Sequence, residues 1–426
     1  MDPVRNIILI SLDALRAGQL STYGYGRETT PYLDRFAEGG VKFTEAYSAS
    51  SHTRESVPAL LAGQYPSSAV DGSFHRDART IPDRLDEAGY RSGAFHSNPF
   101  VSRAYGFEKG FDTFDDDLYL GGNKLVALAQ RALDKLRNQH YARATEINDR
   151  SLNWLDTLDD DPFFLWNHYM DTHGPYEAPA EYQREFHGEV VSDKTAQKLY
   201  QRAIDDPDSI TEDEQRLLVD LYDAEISYTD SRLETFFEQL EDRGLLEKSL
   251  VVITADHGDA FGEHGYYEHP RQLHDELVHV PLLVSGPGVE PATVDTPVST
   301  LDIATTVFEA VGEESESLPG VDLRAVASTP GAFEGRTVIS QTRGESEDAH
   351  LWRVSARNSS STILSEYDTE TGSLSLDDTT DATDTAARKL RTHVEERIAG
   401  EDHQTDRSPE NVDEAIEDRL SALGYK

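Results

Sequence analysis

The chain contains no cysteine, which excludes disulfides, thiolate metal ligands, a cysteine nucleophile and any active-site group made by oxidising cysteine. It is also poor in lysine, with 9 against 30 arginines in 426 residues. Those 39 basic residues face 80 acidic ones, for a formal net charge of −41. So negative a chain repels nucleic acid and anionic lipid, and neither is an expected partner. No window reaches the roughly 20 apolar residues that a membrane span needs. Met1-Asp2-Pro3 runs straight into Val4 to Ile10, leaving no basic segment and no small-residue cleavage site. A soluble, cytoplasmic protein is the expectation. The acid-rich, lysine-poor balance suits a surface hydrated in concentrated salt, and so a halophilic, haloarchaeal-type host.

What is present is enough chain for a large core. Val4 to Leu12 is a nearly continuous apolar run ending at Asp13, as expected of the central strand of a sheet covered on both faces. Arg91 to Phe95, Pro162 to Asn167, Leu250 to Thr254 and Val280 to Ser285 are runs of the same kind. Helical patterns lie between them at Thr30 to Gly39, Ile81 to Ala88, Leu125 to Leu158 and Glu212 to Leu240. The alternation predicts an α/β domain with a mostly parallel sheet over residues 1–337, its ligands at the carboxyl ends of the strands. From about Val338 the alternation weakens, which predicts a small antiparallel C-terminal subdomain over 338–426. Within it Asp377 to Asp384 reads as a loop and Val412 to Leu423 as a terminal helix.

The chemistry-bearing residues stand at strand ends. Asp13 closes the first apolar run, and Asp256-His257 closes Leu250 to Thr254 before Gly258. Strand neighbours point to opposite faces, so Asp256 and His257 share a target only if the chain turns, as Gly258 would allow. Two carboxylates and an imidazole suit one divalent cation, with the histidine favouring Mn²⁺ or Zn²⁺ and Ca²⁺ or Mg²⁺ also compatible. Asp13 taken alone reads equally as a helix cap. In Ser50 to Pro66, polar hydroxyl residues are followed immediately by an apolar helix, which offers a nucleophile a helix N-terminus facing an anion or, taken alone, is simply a capped helix.

Taken together, several motifs in order resemble the sulfatase family of the alkaline-phosphatase-like superfamily. They are Leu12-Asp13-Ala14-Leu15-Arg16, Tyr23-Gly24-Tyr25, Thr30-Pro31-Tyr32-Leu33-Asp34 and Leu60-Leu61-Ala62-Gly63-Gln64-Tyr65-Pro66, then Asp171-Thr172-His173-Gly174-Pro175-Tyr176. Thr254-Ala255-Asp256-His257-Gly258, Gly262-Glu263-His264-Gly265, Asp275-Glu276 and the ending Ile416 to Tyr425 complete the series. The resemblance implies an alkaline-phosphatase-like sandwich and an ester hydrolase in which Asp13, Thr53, Asp256 and His257 hold the metal. It implies Thr53, ten residues before Gly63, as nucleophile. It implies His173 and His269 as groups that grip the ester anion or protonate the leaving group, with His264, Arg54 and Arg16 as weaker supports. The pattern also departs from the family. Thr53 stands where a Cys or Ser becomes formylglycine, Glu55 and Val57 stand where Pro and Arg follow, and Ala14 replaces the second acid of an Asp-Asp pair.

Threonine cannot become formylglycine, so none is expected. The Thr53-Arg54-Glu55-Ser56-Val57-Pro58 run resembles the superfamily's Thr-nucleophile branch, which includes phosphoethanolamine and glycerol-phosphate transferases. The leading expectation is a metal-dependent hydrolase of small-molecule, glycan or lipid esters of sulfate or phosphate. The alternatives are such a phospho-alcohol transferase, a degenerate binding module, and a register in which Ser50 is the nucleophile. Gly121 to Asn138 and Tyr176 to Thr211 read as the loops that shape the pocket.

Overall fold

The first apolar run becomes the strand Asn6–Leu12, buried along its whole length. The computed structural model describes residues 4–70, 78–117, 141–376 and 384–399. In it this strand lies between Phe163–Tyr169 and Ser249–Ala255, parallel to both, with Ile10 opposite Asn167 on one side and Ile253 on the other. All three strands are buried throughout because protein covers both faces of the sheet, and this is why none of them alternates in sequence.

Eight strands make the sheet, in the order Ala292–Val294, Val41–Phe43, Leu282–Ser285, Ser249–Ala255, Asn6–Leu12, Phe163–Tyr169, Arg91–His96 and Thr113–Asp115. Leu282–Ser285 runs antiparallel to both neighbours. The remaining pairings are parallel. Successive residues of the central strand feed two cores. Ile8, Ile10 and Leu12 pack with Leu221, Tyr222 and Phe237 of the helix Glu212–Asp242 and with Ile147 and Trp154 of Ala144–Leu155. Ile7 and Leu9 pack with Val57, Leu60 and Leu61 of the helix Thr53–Ala62 and with Ile303 and Phe308 of Asp302–Val311. Truncating one of these side chains to Ala costs roughly 2–5 kcal/mol, so the strand that carries Asp13 is held from both faces.

The expected C-terminal antiparallel sheet is present. Val338–Arg343, Leu351–Arg357, Thr362–Asp368 and Ser373–Leu376 pair in sequence order. The helix Thr385–Arg397 covers Trp352, Val354 and Ala356 with Leu390 and Val394. Its first strand is tied to the segment before Thr53, because Gln341 N donates to Ala49 O at 2.8 Å and Ser340 Oγ to Ser48 O at 2.6 Å.

Some expectations need correction. Tyr176 to Thr211 is not a loop, since it carries the helices Ala180–Phe186 and Asp193–Asp205, and Leu199 and Tyr200 of the latter enter the core. Apolar spacing on a short helix between polar stretches is easily mistaken for a loop. Of the pattern from Leu125 to Leu158, the described part holds the helix Ala144–Leu155. The loop Gly121 to Asn138, the stretch 377–383 and the tail helix Val412 to Leu423 lie outside the described residues. Among the described residues, no helix is long and apolar enough to cross a membrane.

Candidate active site

Three adjacent strands end at one place. Asp13 follows Asn6–Leu12, Asp256 and His257 follow Ser249–Ala255, and His168 stands at the end of Phe163–Tyr169, opposite Ser11. All four residues are wholly buried. Carboxyl ends of neighbouring parallel strands converge in this way in open α/β sheets. Facing them, Thr53 is the first residue of the helix Thr53–Ala62, capped by His52, whose Nδ1 accepts from Arg54 N at 3.2 Å. The helix therefore aims its amide end and its positive dipole at the carboxylates.

The two oxygens of Asp13 have different partners. Oδ1 lies 3.5 Å from Thr53 Oγ1 and 3.6 Å from His257 Nε2. Oδ2 accepts from Asn98 Nδ2 at 2.6 Å and lies 3.3 Å from His168 Nε2. Thr53 Oγ1 is 3.0 Å from His257 Nε2, and Asp256 Oδ2 is 3.6 Å from that same nitrogen. Asp256 Oδ1 instead takes the amides of His257 at 2.9 Å and Ala14 at 3.3 Å. The chain does turn after Asp256, but Gly258 serves by allowing close approach. A Cβ there would sit 2.1 Å from Glu276 O, and Gly258 N donates to Leu277 O at 2.8 Å. Ala14, where the family pair would place a second acid, has φ of 56°, and its carbonyl accepts from Tyr222 OH at 2.7 Å.

A group of imidazoles closes the site. His269 lies with its ring centroid 4.4 Å from His257, 4.9 Å from His173 and 5.6 Å from His52. His173 Nδ1 and His257 Nδ1 each meet the following glycine's carbonyl, at 2.6 and 2.8 Å. His269 Nδ1 lies 3.6 Å from Asp259 Oδ1, and Tyr176 OH donates to Asp259 Oδ2. The sequence expectations for Thr53, Asp13, Asp256, His257, His173 and His269 thus fall in one place.

Burial alone would raise Asp13, yet His173, His168 and His257 hold it far below the usual carboxylate range. Burial and the adjacent Asp13 charge push Asp256 up. His168 is lowered by burial but raised on balance by Asp13. Burial, then His257, brings His269 down to about 4. Two buried carboxylates side by side repel and are costly to desolvate unless a cation joins them. The donor atoms of Asp13, His168 and Asp256 lie within 4.8 Å of one another. With Thr53 and His257 they form an oxygen and imidazole set that fits Mn²⁺ or Zn²⁺, with Ca²⁺ also compatible through the oxygens.

Other candidates sit elsewhere. Ser50 Oγ is turned to Glu55 Oε2 at 2.6 Å. Glu55 is also bound by Thr342 Oγ1 at 2.7 Å and by Arg271 Nη1 at 3.0 Å. Arg54 sets its guanidinium against Phe100 and Tyr105, 5.7 and 5.9 Å from the ring centres. Arg16 bonds Glu263 Oε1 at 2.5 Å and Asp259 O at 3.2 Å. His264, with its side chain 47% exposed, stacks on His274. His168, Asn98, His52 and Asp259 also line the site, beyond the residues that the sequence singles out. The polar pair Asn167-His168 inside an otherwise apolar strand was the one available signal for His168.

The sulfatase family model matches residues 5–313. An uncharacterised sulfatase of Escherichia coli, YidJ, is 24% identical over 366 residues, 77% of this chain and 72% of that protein. A choline-sulfatase of Rhizobium meliloti is 24% identical over 353 residues, 74% of this chain and 69% of its own. The crystal structure of a phosphonate monoester hydrolase of Agrobacterium radiobacter superposes with a TM-score of 0.69 at 17% identity, over 86% of this chain and 90% of that one. With the family model spanning most of its length and the alkaline-phosphatase-like fold in place, the chain belongs to the sulfatase family of ester hydrolases.

Proposed function

We propose that this protein hydrolyses sulfate or phosphate esters with Thr53 as nucleophile, beside one divalent cation held by Asp13, Asp256, His257 and Thr53, with His168 joining the two carboxylates from the neighbouring strand. The observation that carries the reading is the place of Thr53 Oγ1, 3.0 Å from His257 Nε2 and 3.5 Å from Asp13 Oδ1, on the first turn of a helix. The cation, when bound, supplies Lewis acidity that lowers the hydroxyl pKa and neutralises charge on an ester oxygen.

The chain's own residues account for the rest. Thr53 Oγ bonds to the sulfur or phosphorus as the alcohol oxygen departs, and the helix N-terminus favours the anion held there. His173 and His269, adjacent and buried, bind the non-bridging oxygens through their N–H groups, and His173 gives the departing oxygen its proton. With threonine in place of formylglycine, the covalent ester is cleaved by water. Ser50, committed to Glu55, is poorly placed to compete. The named relatives act on a sulfate ester and a phosphonate ester, which supports both ester classes as candidates. The acidic, lysine-poor composition supports a halophilic setting.

The test compares wild type with Thr53→Ala in molar salt, with Mn²⁺, Zn²⁺, Mg²⁺ or Ca²⁺, on matched aryl sulfate, phosphate monoester and phosphate diester. Molar salt shrinks the Debye length to about 3 Å, which removes the repulsion of an anionic substrate. Turnover lost in Thr53→Ala is the expected result. Turnover retained there overturns the nucleophile assignment.

A further inference from the structure

Besides the Asp13 cluster, one other group of potential ligands converges among the described residues. Donor atoms of His264, His274 and Glu276 lie within 4.8 Å of one another, with His264 Nε2 3.4 Å from Glu276 Oε1. The geometry points to a second metal site here, on the outer face of the segment that follows His257, for a late first-row divalent cation such as Zn²⁺. The chemistry of the donors sets the class, since two imidazoles and one carboxylate favour zinc and its neighbours over Mg²⁺ or Ca²⁺.

A hydrogen-bonded support surrounds the ligands. Tyr266 OH lies 2.6 Å from His274 Nδ1 and donates to Glu276 Oε1 at 3.0 Å. One hydroxyl thus orients two of the three ligands, as supporting groups do in metal sites, and leaves His274 Nε2 for the ion. The rings of His264 and His274 are stacked, 3.7 Å apart and 15° from parallel. Parallel rings direct their lone pairs side by side, so one must turn edge-on to share an ion. His264, 47% exposed at its side chain, has the room to turn.

The site joins two segments that flank the catalytic strand end. Glu276 O packs over Gly258, and Glu263, next to His264, holds Arg16. An ion bound by His264, His274 and Glu276 pins the Gly262–Gly265 turn to the helix Asp275–Val278 and so stiffens the backing of His257.

Zn²⁺ itself is the probe, measured by equilibrium dialysis of metal-stripped full-length protein. Wild type is expected to take up two equivalents, Asp13→Asn/Asp256→Asn one, and that variant with His264→Ala added none. Zn²⁺ is expected to raise the melting temperature of Asp13→Asn/Asp256→Asn but not of the triple variant. Should the buried substitutions prevent folding, wild type against His264→Ala and against His274→Ala reads the same loss of one equivalent. Two equivalents retained in both histidine variants, or none in folded Asp13→Asn/Asp256→Asn, overturn the outer site. The second of these outcomes leaves the Asp13 cluster intact as the metal centre.

Discussion

Asn98 donates its amide to Asp13 Oδ2 at 2.6 Å, which leaves Oδ1 as the oxygen turned to Thr53 and His257. The division fixes the orientation of a buried carboxylate with a neutral donor that adds no charge to the site. Asn98→Ala is expected to weaken divalent-cation affinity by roughly 10–100-fold, the usual cost of losing a group that orients a ligand. Titration of the stripped variant and wild type with Mn²⁺ measures it, and equal affinities would show that Asp13 needs no such support.

Thr53→Ser keeps a hydroxyl at the same helix terminus, whereas Thr53→Val keeps the shape and removes the hydroxyl. Turnover is expected to survive in the first within about tenfold and to fall by roughly 10³-fold or more in the second. Steady-state kinetics on the ester that wild type turns over decides between them.

Glu55 is buried and bound by Ser50, Thr342 and Arg271, and so links the helix of Thr53 to the C-terminal sheet. Glu55→Ala strips Arg271 of its buried partner while leaving Glu345, at 2.5 Å, on the exposed side. The expected loss is roughly 3 kcal/mol of stability. Chemical denaturation measures it, and a loss below about 1 kcal/mol would mean that Glu345 suffices.

Asp230 accepts the amides of Tyr32 at 2.8 Å and Leu33 at 2.9 Å, at the start of the helix Pro31–Gly39. Burial pushes its pKa up to about 7, against the pull of those two amides. The folded value stands above the unfolded one, so the contribution is fully present below about pH 4 and is lost as pH rises to 7. The stability difference between wild type and Asp230→Asn should therefore shift against wild type by up to roughly 4 kcal/mol across that window. Denaturation at several pH values measures the slope, and a flat difference would place Asp230 at an ordinary carboxylate value.

Chelation offers a further check. Exhaustive treatment with EDTA is expected to abolish turnover and to lower the melting temperature, with Mn²⁺ or Zn²⁺ restoring both, since removing a cation leaves Asp13 and Asp256 buried and mutually repulsive. Activity that persists in demonstrably stripped protein would overturn the cation's role.

The strands were legible because each is covered on both faces and must be apolar throughout, as in Asn6–Leu12 and Ser249–Ala255. Asp13, Asp256 and His257 were legible because each directly follows such a run. Thr53 and His173 were legible through motif order. His168 and Asn98 were hidden because they reach Asp13 from the next strand and from the short turn Pro99–Val101, which Asn98 caps. The polar pair Asn167-His168 marks His168 as unusual in its strand, but nothing local to either residue identifies Asp13, 155 or 85 residues away, as the partner.

The sequence by itself determined the class of sheet, the family motifs and the absence of cysteine that rules out a formylglycine made from it. These depend on local periodicity and residue type, which a linear chain displays. Only the tertiary structure decided that Thr53, rather than Ser50, faces His257, that the oxygens of Asp13 are shared between Thr53 and Asn98, and that Gly258 is needed for contact with Glu276. Those are relations between distant segments, fixed by strand order and register, and they exist only once the two cores have closed on the sheet.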